Sequence, residues 1–134
     1  MKKLGLVFCI ALGVAFLTGC APKPPSAVEI STANYGSLPG NYQDLIKDHF
    51  NVVLKDPESA RYTFMPPYKG YSQDGALAES GGGVRFGYVV PVLVNAKNSY
   101  GGYTGNHQYA FIFSNGVLYD ITANYLFGRA PHVQ

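Results

Sequence analysis

Between Asn95 and Asn106 the chain reads Asn-Ala-Lys-Asn-Ser-Tyr-Gly-Gly-Tyr-Thr-Gly-Asn, and here side chains able to make directed contacts are densest. Lys97 supplies a cation, Asn98, Ser99 and Thr104 supply amide and hydroxyl groups, and Tyr100 and Tyr103 flank the Gly101-Gly102 pair. Rings with polar tips beside small, adaptable polar residues suit contact with a sugar, a peptide backbone or a protein surface. The same residues also make an ordinary long hairpin, in which glycines supply positive φ, asparagines cap turns and the tyrosines pack back on the sheet. At the level of sequence both readings stand.

Other chemistry finds less support. His49, His107 and His132 lack the spacing of a metal site, and His49 falls beside an apolar helical stripe. Gly81-Gly82-Gly83 has no Gly-Lys-Ser/Thr ending and precedes a strand pattern, so it is poor material for phosphate binding. Asp44 and Asp48 are one helical turn apart with Lys47 between them, the pattern of a solvated face rather than of paired catalytic carboxylates. Ser59, Ser99 and Ser114 sit in no nucleophile elbow. No catalytic residue, cofactor or metal is therefore assigned, and the chain is expected to be a non-enzymatic protein.

The amino terminus carries a basic start at Lys2 and Lys3, an uncharged apolar run from Leu4 to Leu17, and then Leu17-Thr18-Gly19-Cys20. A positive start, a short apolar run and small residues before a cut site build a cleavable secretory signal. About 14 apolar residues are too few for a span that needs roughly 20. The four residues resemble a bacterial lipoprotein processing box. That resemblance implies removal of residues 1–19, a diacylglycerol thioether on Cys20 and acylation of its new amino group. More than one chain, at about 0.8 kcal/mol per buried CH₂, holds a protein stably to a bilayer. Ala21 in place of an aspartate after the cysteine implies the outer membrane, with the domain facing the periplasm.

Cleavage would change the rest of the reading. The net charge of +2 in 134 residues comes from ten Lys/Arg and eight Asp/Glu, and loss of Lys2 and Lys3 leaves eight against eight. A neutral chain without a basic cluster argues against nucleic acid or an anionic lipid surface as an electrostatic partner. Cys9 lies in the apolar run and Cys20 would carry lipid, so the folded part has no thiol chemistry even in an oxidising compartment.

These pieces need a scaffold. Residues 20–38, with Pro22, Pro24 and Pro25, read as a lipidated cysteine and an extended linker, with Val28-Glu29-Ile30 as a possible edge strand. Residues 39–134 read as one globular domain. From Asn41 to Leu54, Leu45, Ile46, His49, Phe50, Val52 and Val53 recur at helical steps, with Asn41 placed to cap and Asp44 in the first turn. Arg61 to Met65 alternates as a strand ended by Pro66-Pro67, and Tyr68 to Gly83 reads as a long loop. Val84 to Asn95 is the strongest strand, apolar enough for cover on both faces, with Pro91 calling for a bulge or an edge. His107–Phe113 and Val117–Ile121 flank Asn115-Gly116, the signature of a type I′ hairpin.

One helix and about four mostly antiparallel strands predict an α+β fold with the helix on one sheet face; a small open β-barrel with a helix is the alternative. Ile46, Phe50 and Val53 are expected against Phe86, Tyr88 and Phe111, and Tyr109, Phe111 and Phe113 against Val117, Tyr119 and Ile121.

The segment Asp56-Pro57-Glu58-Ser59-Ala60, together with Asn95 to Gly105, resembles a group of small bacterial and phage-encoded proteins, mostly of unassigned function. The resemblance covers about half of the chain after Cys20 and implies no activity. Those proteins commonly place a cysteine and a glycine in the strand before the loop, where this chain has Val89, Val90 and Pro91, so any role of that cysteine is absent. The function expected is that of a membrane-anchored envelope module that binds a protein or cell-wall component through Lys97 to Thr104. An inhibitor or exclusion lipoprotein, and a small cell-wall hydrolase, are the alternatives.

Overall fold

A computed structural model describes residues 21–134; the segment expected to be a signal, with Cys9, and the expected lipid site at Cys20 lie outside the described residues. Helix α1 spans Ala27–Thr32 and helix α2 spans Tyr42–Val53. A 3₁₀ turn at Pro57–Ser59 leads into strands β1 (Arg61–Phe64), β2 (Tyr68–Gln73), β3 (Val84–Asn95), β4 (His107–Ser114) and β5 (Val117–Asp120). Helix α3 follows at Thr122–Leu126. The strands form one antiparallel sheet that does not close into a barrel, an α+β fold.

Strand β3 is the axis of this sheet. Its long run of strand-forming residues pairs with β4 on one side, and on the other with β1 and β2, which follow each other along the same edge. Phe64 faces Val92 and Tyr68 faces Val89, so three residues, 65–67, stand opposite two, a bulge by one residue. Pro91 explains its position. Across the other edge Ala110 spends its N–H on Thr122 and its C=O on the Ile121 amide, so the Pro91–Ala110 pair exchanges no ladder bonds. The missing Pro91 donor thus faces the break between β1 and β2, where its carbonyl accepts from the Met65 N–H at 3.0 Å.

The extra residue reverses the side-chain alternation. Tyr62 and Phe64 of β1 pack on the α2 side with Val90, Val92, Val94, Phe111 and Phe113, whereas Tyr68 of β2 packs on the opposite side with Val89, Ala110 and Ile112. Ile46 and Phe50 of α2 close the first layer. Ile121, Tyr125 and Ala130, from α3 and the carboxyl-terminal tail, close the second. Both faces of β3 are covered.

Several local expectations are corrected. The stretch from Tyr68 is a strand as far as Gln73; alternation is hard to see there because Gly70 and Ser72 occupy its back face, where a Cβ on Gly70 would come within 2.5 Å of the Pro131 carbonyl oxygen. Val53 is 56% exposed, because the α2 stripe ends at Phe50. Phe86 packs on Tyr35 and Tyr71 rather than on α2. The two-residue turn sets Ser114 opposite Val117, so Leu118 faces Phe113, while Tyr119 faces Ile112 on the back layer and Ile121 lies there too. Asn115 (φ 50°) and Gly116 (φ 78°) have the positive φ that a type I′ turn needs. Asn41 occupies the α2 cap position without a side-chain cap bond.

Within 21–38 the chain is not uniformly extended. Ser26 and Glu29 form a reciprocal capping box that starts α1, so Val28-Glu29-Ile30 is helical rather than an edge strand. Tyr35 then donates to the Ile30 carbonyl and sets its ring edge-on to Phe86. Further back, the Gln73 amide donates to the Lys23 carbonyl at 2.6 Å.

Candidate functional site

The loop between β3 and β4 is a braced hairpin with an exposed tip. Asn98 organises the tip. Its side-chain oxygen accepts from the Tyr100 and Gly102 amides at 2.9 and 3.2 Å, its carbonyl accepts from Gly101, and its own N–H donates to the Gly102 carbonyl. Gly101 and Gly105 turn the chain at φ 78° and 92°, where a side chain would be strained. Ser99 is exposed, and Tyr100, 97% exposed, stands out from the tip.

The base of the loop is held from outside. Lys97 and Tyr103 form a β-bridge. The Lys97 N–H donates to Ser59 Oγ at 2.9 Å, and the Tyr103 hydroxyl donates to the Ser59 carbonyl at 3.1 Å. The Arg61 guanidinium lies 4.2 Å from the Tyr103 ring centre and the Lys97 ammonium 5.5 Å from it, favourable cation–π distances. Thr104 bonds back to the Ala96 carbonyl through both its amide and its hydroxyl, and that hydroxyl is 3.1 Å from His107 Nε2. The Asp56–Ala60 and Asn95–Gly105 segments therefore meet in space.

The loop residues divide by role in consequence. Tyr100 is presented to solvent, whereas Tyr103 packs on Arg61 and is part of the brace, the structural alternative weighed for both tyrosines. Gly101, Gly102 and Asn98 shape the tip, and Thr104 closes it. Lys97 also lines a cleft of about 240 Å³ between the end of α2 and the loop base, with Val53, Leu54, Lys55, Ala96 and His107 among its walls. Sequence alone does not single out Ser59 and Arg61 as brace residues, because their contacts with Lys97 and Tyr103 reach across about forty residues of chain.

At the other end of β3 lies a polar constellation with no local signature. Asp74 accepts from Asn124 Nδ2 at 2.9 Å and from Ser80 Oγ at 2.8 Å, and Arg129 donates to the Asn124 side-chain oxygen and the Gln73 carbonyl. The Asn124 and Ser80 bonds, with help from Arg85 and Arg129, hold the Asp74 carboxyl below its usual range. Ser80 is six residues from Asp74 but Asn124 is fifty away, so local spacing does not reveal the group.

The histidines are in three different places: His49 edge-on to Phe50 and Phe111 and 3.9 Å from Asp120, His107 at the loop base, and His132 against Tyr68. Asp44 and Asp48 are exposed on α2. No family model, curated protein or solved structure matches the chain, so the site is read from its own chemistry.

Proposed function

We propose that this protein is a lipid-anchored outer-membrane protein, facing the periplasm, whose domain is a non-enzymatic binding or assembly module for an envelope protein or cell-wall component. The reading rests first on the lipoprotein-type box at Leu17–Cys20. The observation that carries the binding role is the tip itself: an almost fully exposed tyrosine on a hairpin whose base is fixed by Ser59, Tyr103 and Arg61. A ring displayed on a preorganised loop loses little entropy on binding, the circumstance in which one aromatic residue contributes strongly to an interface.

The direction of display fits the anchor. Pro22 and Lys23 contact Gly82 and Gln73, at the end of the sheet where β3 starts, and the loop leaves where β3 ends. Twelve residues of strand separate the two by roughly 35 to 40 Å. A domain held at the first end would offer the tip away from the bilayer.

Photocrosslinking in intact envelopes, with wild type and Tyr100→Ala compared, tests the recognition role. Tyr100→Ala leaves the brace untouched, so a loss of partner recovery reports the tip, and equal recovery discards it. Cys20→Ser should abolish fatty-acid labelling and leave the precursor uncut; persistent labelling refutes the anchor. An inhibitor of a lysozyme-like enzyme would use the same protruding tip and would be recognised by the enzyme recovered.

A further inference from the structure

We propose that the cleft at the start of β3 is a second binding site, for a small zwitterion that joins a primary ammonium to an oxyanion, with Arg85 taking the oxyanion and Asp74 the ammonium. The cleft has a volume of about 360 Å³ and lies between the β2–β3 connection, the β4–β5 turn and Asn34. Asp74, Ser80, Arg85, Phe86 and Asn115 are among its walls.

Two opposite charges share this cleft without closing into an ion pair. Among the described residues the one ion pair is His49–Asp120, so neither Arg85 nor Asp74 is closed into a salt bridge. Each is held by something else. The Arg85 guanidinium lies 3.7 Å from the Tyr119 ring centre, a cation–π contact that spends none of its N–H donors. Asp74 is fixed by Asn124 and Ser80, one bond on each oxygen, and an ionised carboxylate has about four acceptor positions, so about two remain for an ammonium. A planar fork matches a carboxylate or phosphate, and a carboxylate with spare lone pairs matches an ammonium that has N–H donors. A simple anion would meet Asp74 and a simple cation would meet Arg85. A zwitterion satisfies both.

This chemistry occurs in a phosphoethanolamine headgroup and in free amino acids. The tether favours the headgroup: Gly82, against Pro22, adjoins Gly83 in the cleft wall, so the cleft is at the end where the chain arrives from Cys20. This choice of source rests on the lipoprotein reading; the cleft chemistry does not.

The test is an amide-resonance titration of the full chain in detergent with O-phosphoethanolamine, phosphocholine and glycine. Phosphoethanolamine should shift Ser80, Gly83 and Asn115 and bind roughly tenfold more tightly than phosphocholine, which has no N–H donor. Arg85→Ala should abolish the shifts, and the near-isosteric Asp74→Asn should remove the preference for phosphoethanolamine while the spectrum elsewhere is preserved. Equal binding of the two headgroups, no saturable shift with any probe, or retained preference in Asp74→Asn overturns the proposal. Nanodiscs with ethanolamine or choline lipids then identify the source. Shifts confined to ethanolamine discs support the headgroup, whereas shifts with glycine but with neither disc support a free amino acid. Because the soluble titration needs no acylation, an unlabelled Cys20 would sink the anchor and leave the cleft result standing.

Discussion

Ser59→Ala is the sharpest probe of how the β3–β4 loop is held. Ser59 Oγ accepts the Lys97 N–H at 2.9 Å and donates to the Asp56 carbonyl at 2.8 Å, both in a part-buried setting. Alanine removes the acceptor and leaves the Lys97 donor facing a methyl group. A buried unsatisfied donor costs about 1 to 3 kcal/mol, and partial access of water puts this one in the lower half, about 1 to 2 kcal/mol. If the loss appears as local opening of the loop base, the Lys97 amide should exchange with solvent roughly 5- to 30-fold faster, while amides of β3 at Val90 and Val92 keep their protection. Tyr103→Phe, which removes the bond to the Ser59 carbonyl from a more exposed hydroxyl, should cost about 0.5 kcal/mol. The two bonds converge on one residue, so the double variant should depart from additivity by at least about 0.5 kcal/mol. Hydrogen exchange followed by nuclear magnetic resonance measures all three. Unchanged Lys97 exchange in Ser59→Ala would refute the brace, and with it the claim that Tyr100 is displayed on a preorganised hairpin.

Three further outcomes follow from the packing. Phe50, 1% exposed, contacts the rings of Tyr62, Tyr109 and Phe111, so Phe50→Ala should cost about 3 to 5 kcal/mol and lower the melting temperature by more than about 10 °C; an unchanged melt would remove α2 from the core. Gly87→Ala would set a Cβ on the Phe113 carbonyl oxygen of the neighbouring strand, a clash between backbones that no side-chain rotation relieves, and should cost about 3 kcal/mol by denaturant titration. Tyr68, half-buried against the carboxyl-terminal tail and bonded to the Ala130 carbonyl at 2.7 Å, has its phenol pushed up to about 12, first by burial and then by Tyr125. The folded state thus favours the neutral phenol: its contribution is full below about 10 and is lost as pH rises through about 12, so Tyr68→Phe should flatten the alkaline fall in stability, and an equally steep fall would contradict it.

How much of this was legible depended on whether the signal was local. The helical period of α2, the length of β3 and the Asn115-Gly116 turn each rest on neighbours within one turn or one strand, and each forms where its residues specify it. Tyr68–Gln73 reads as loop because small residues stand where alternation would show, and at Gly70 the reason, close approach of the tail at Pro131, lies some sixty residues away. Tyr119 falls on the back face, opposite Ile112, because the two-residue turn fixes the register one step away from the simple alternation of the two runs.

By itself the sequence determined the α+β class, the charge balance of the chain after Lys3, and the loop in which Lys97, Tyr100 and Tyr103 fall. The tertiary structure decided where those residues stand. It joined Ser59 and Arg61 to Tyr103, left Tyr100 outside, and brought Asp74, Arg85 and Asn124 to one end of the sheet. The reason is that the type of an element follows from the period of its own side chains, whereas a site depends on register and bulges, and a single extra residue opposite Pro91 sends Tyr62 and Tyr68 to opposite faces.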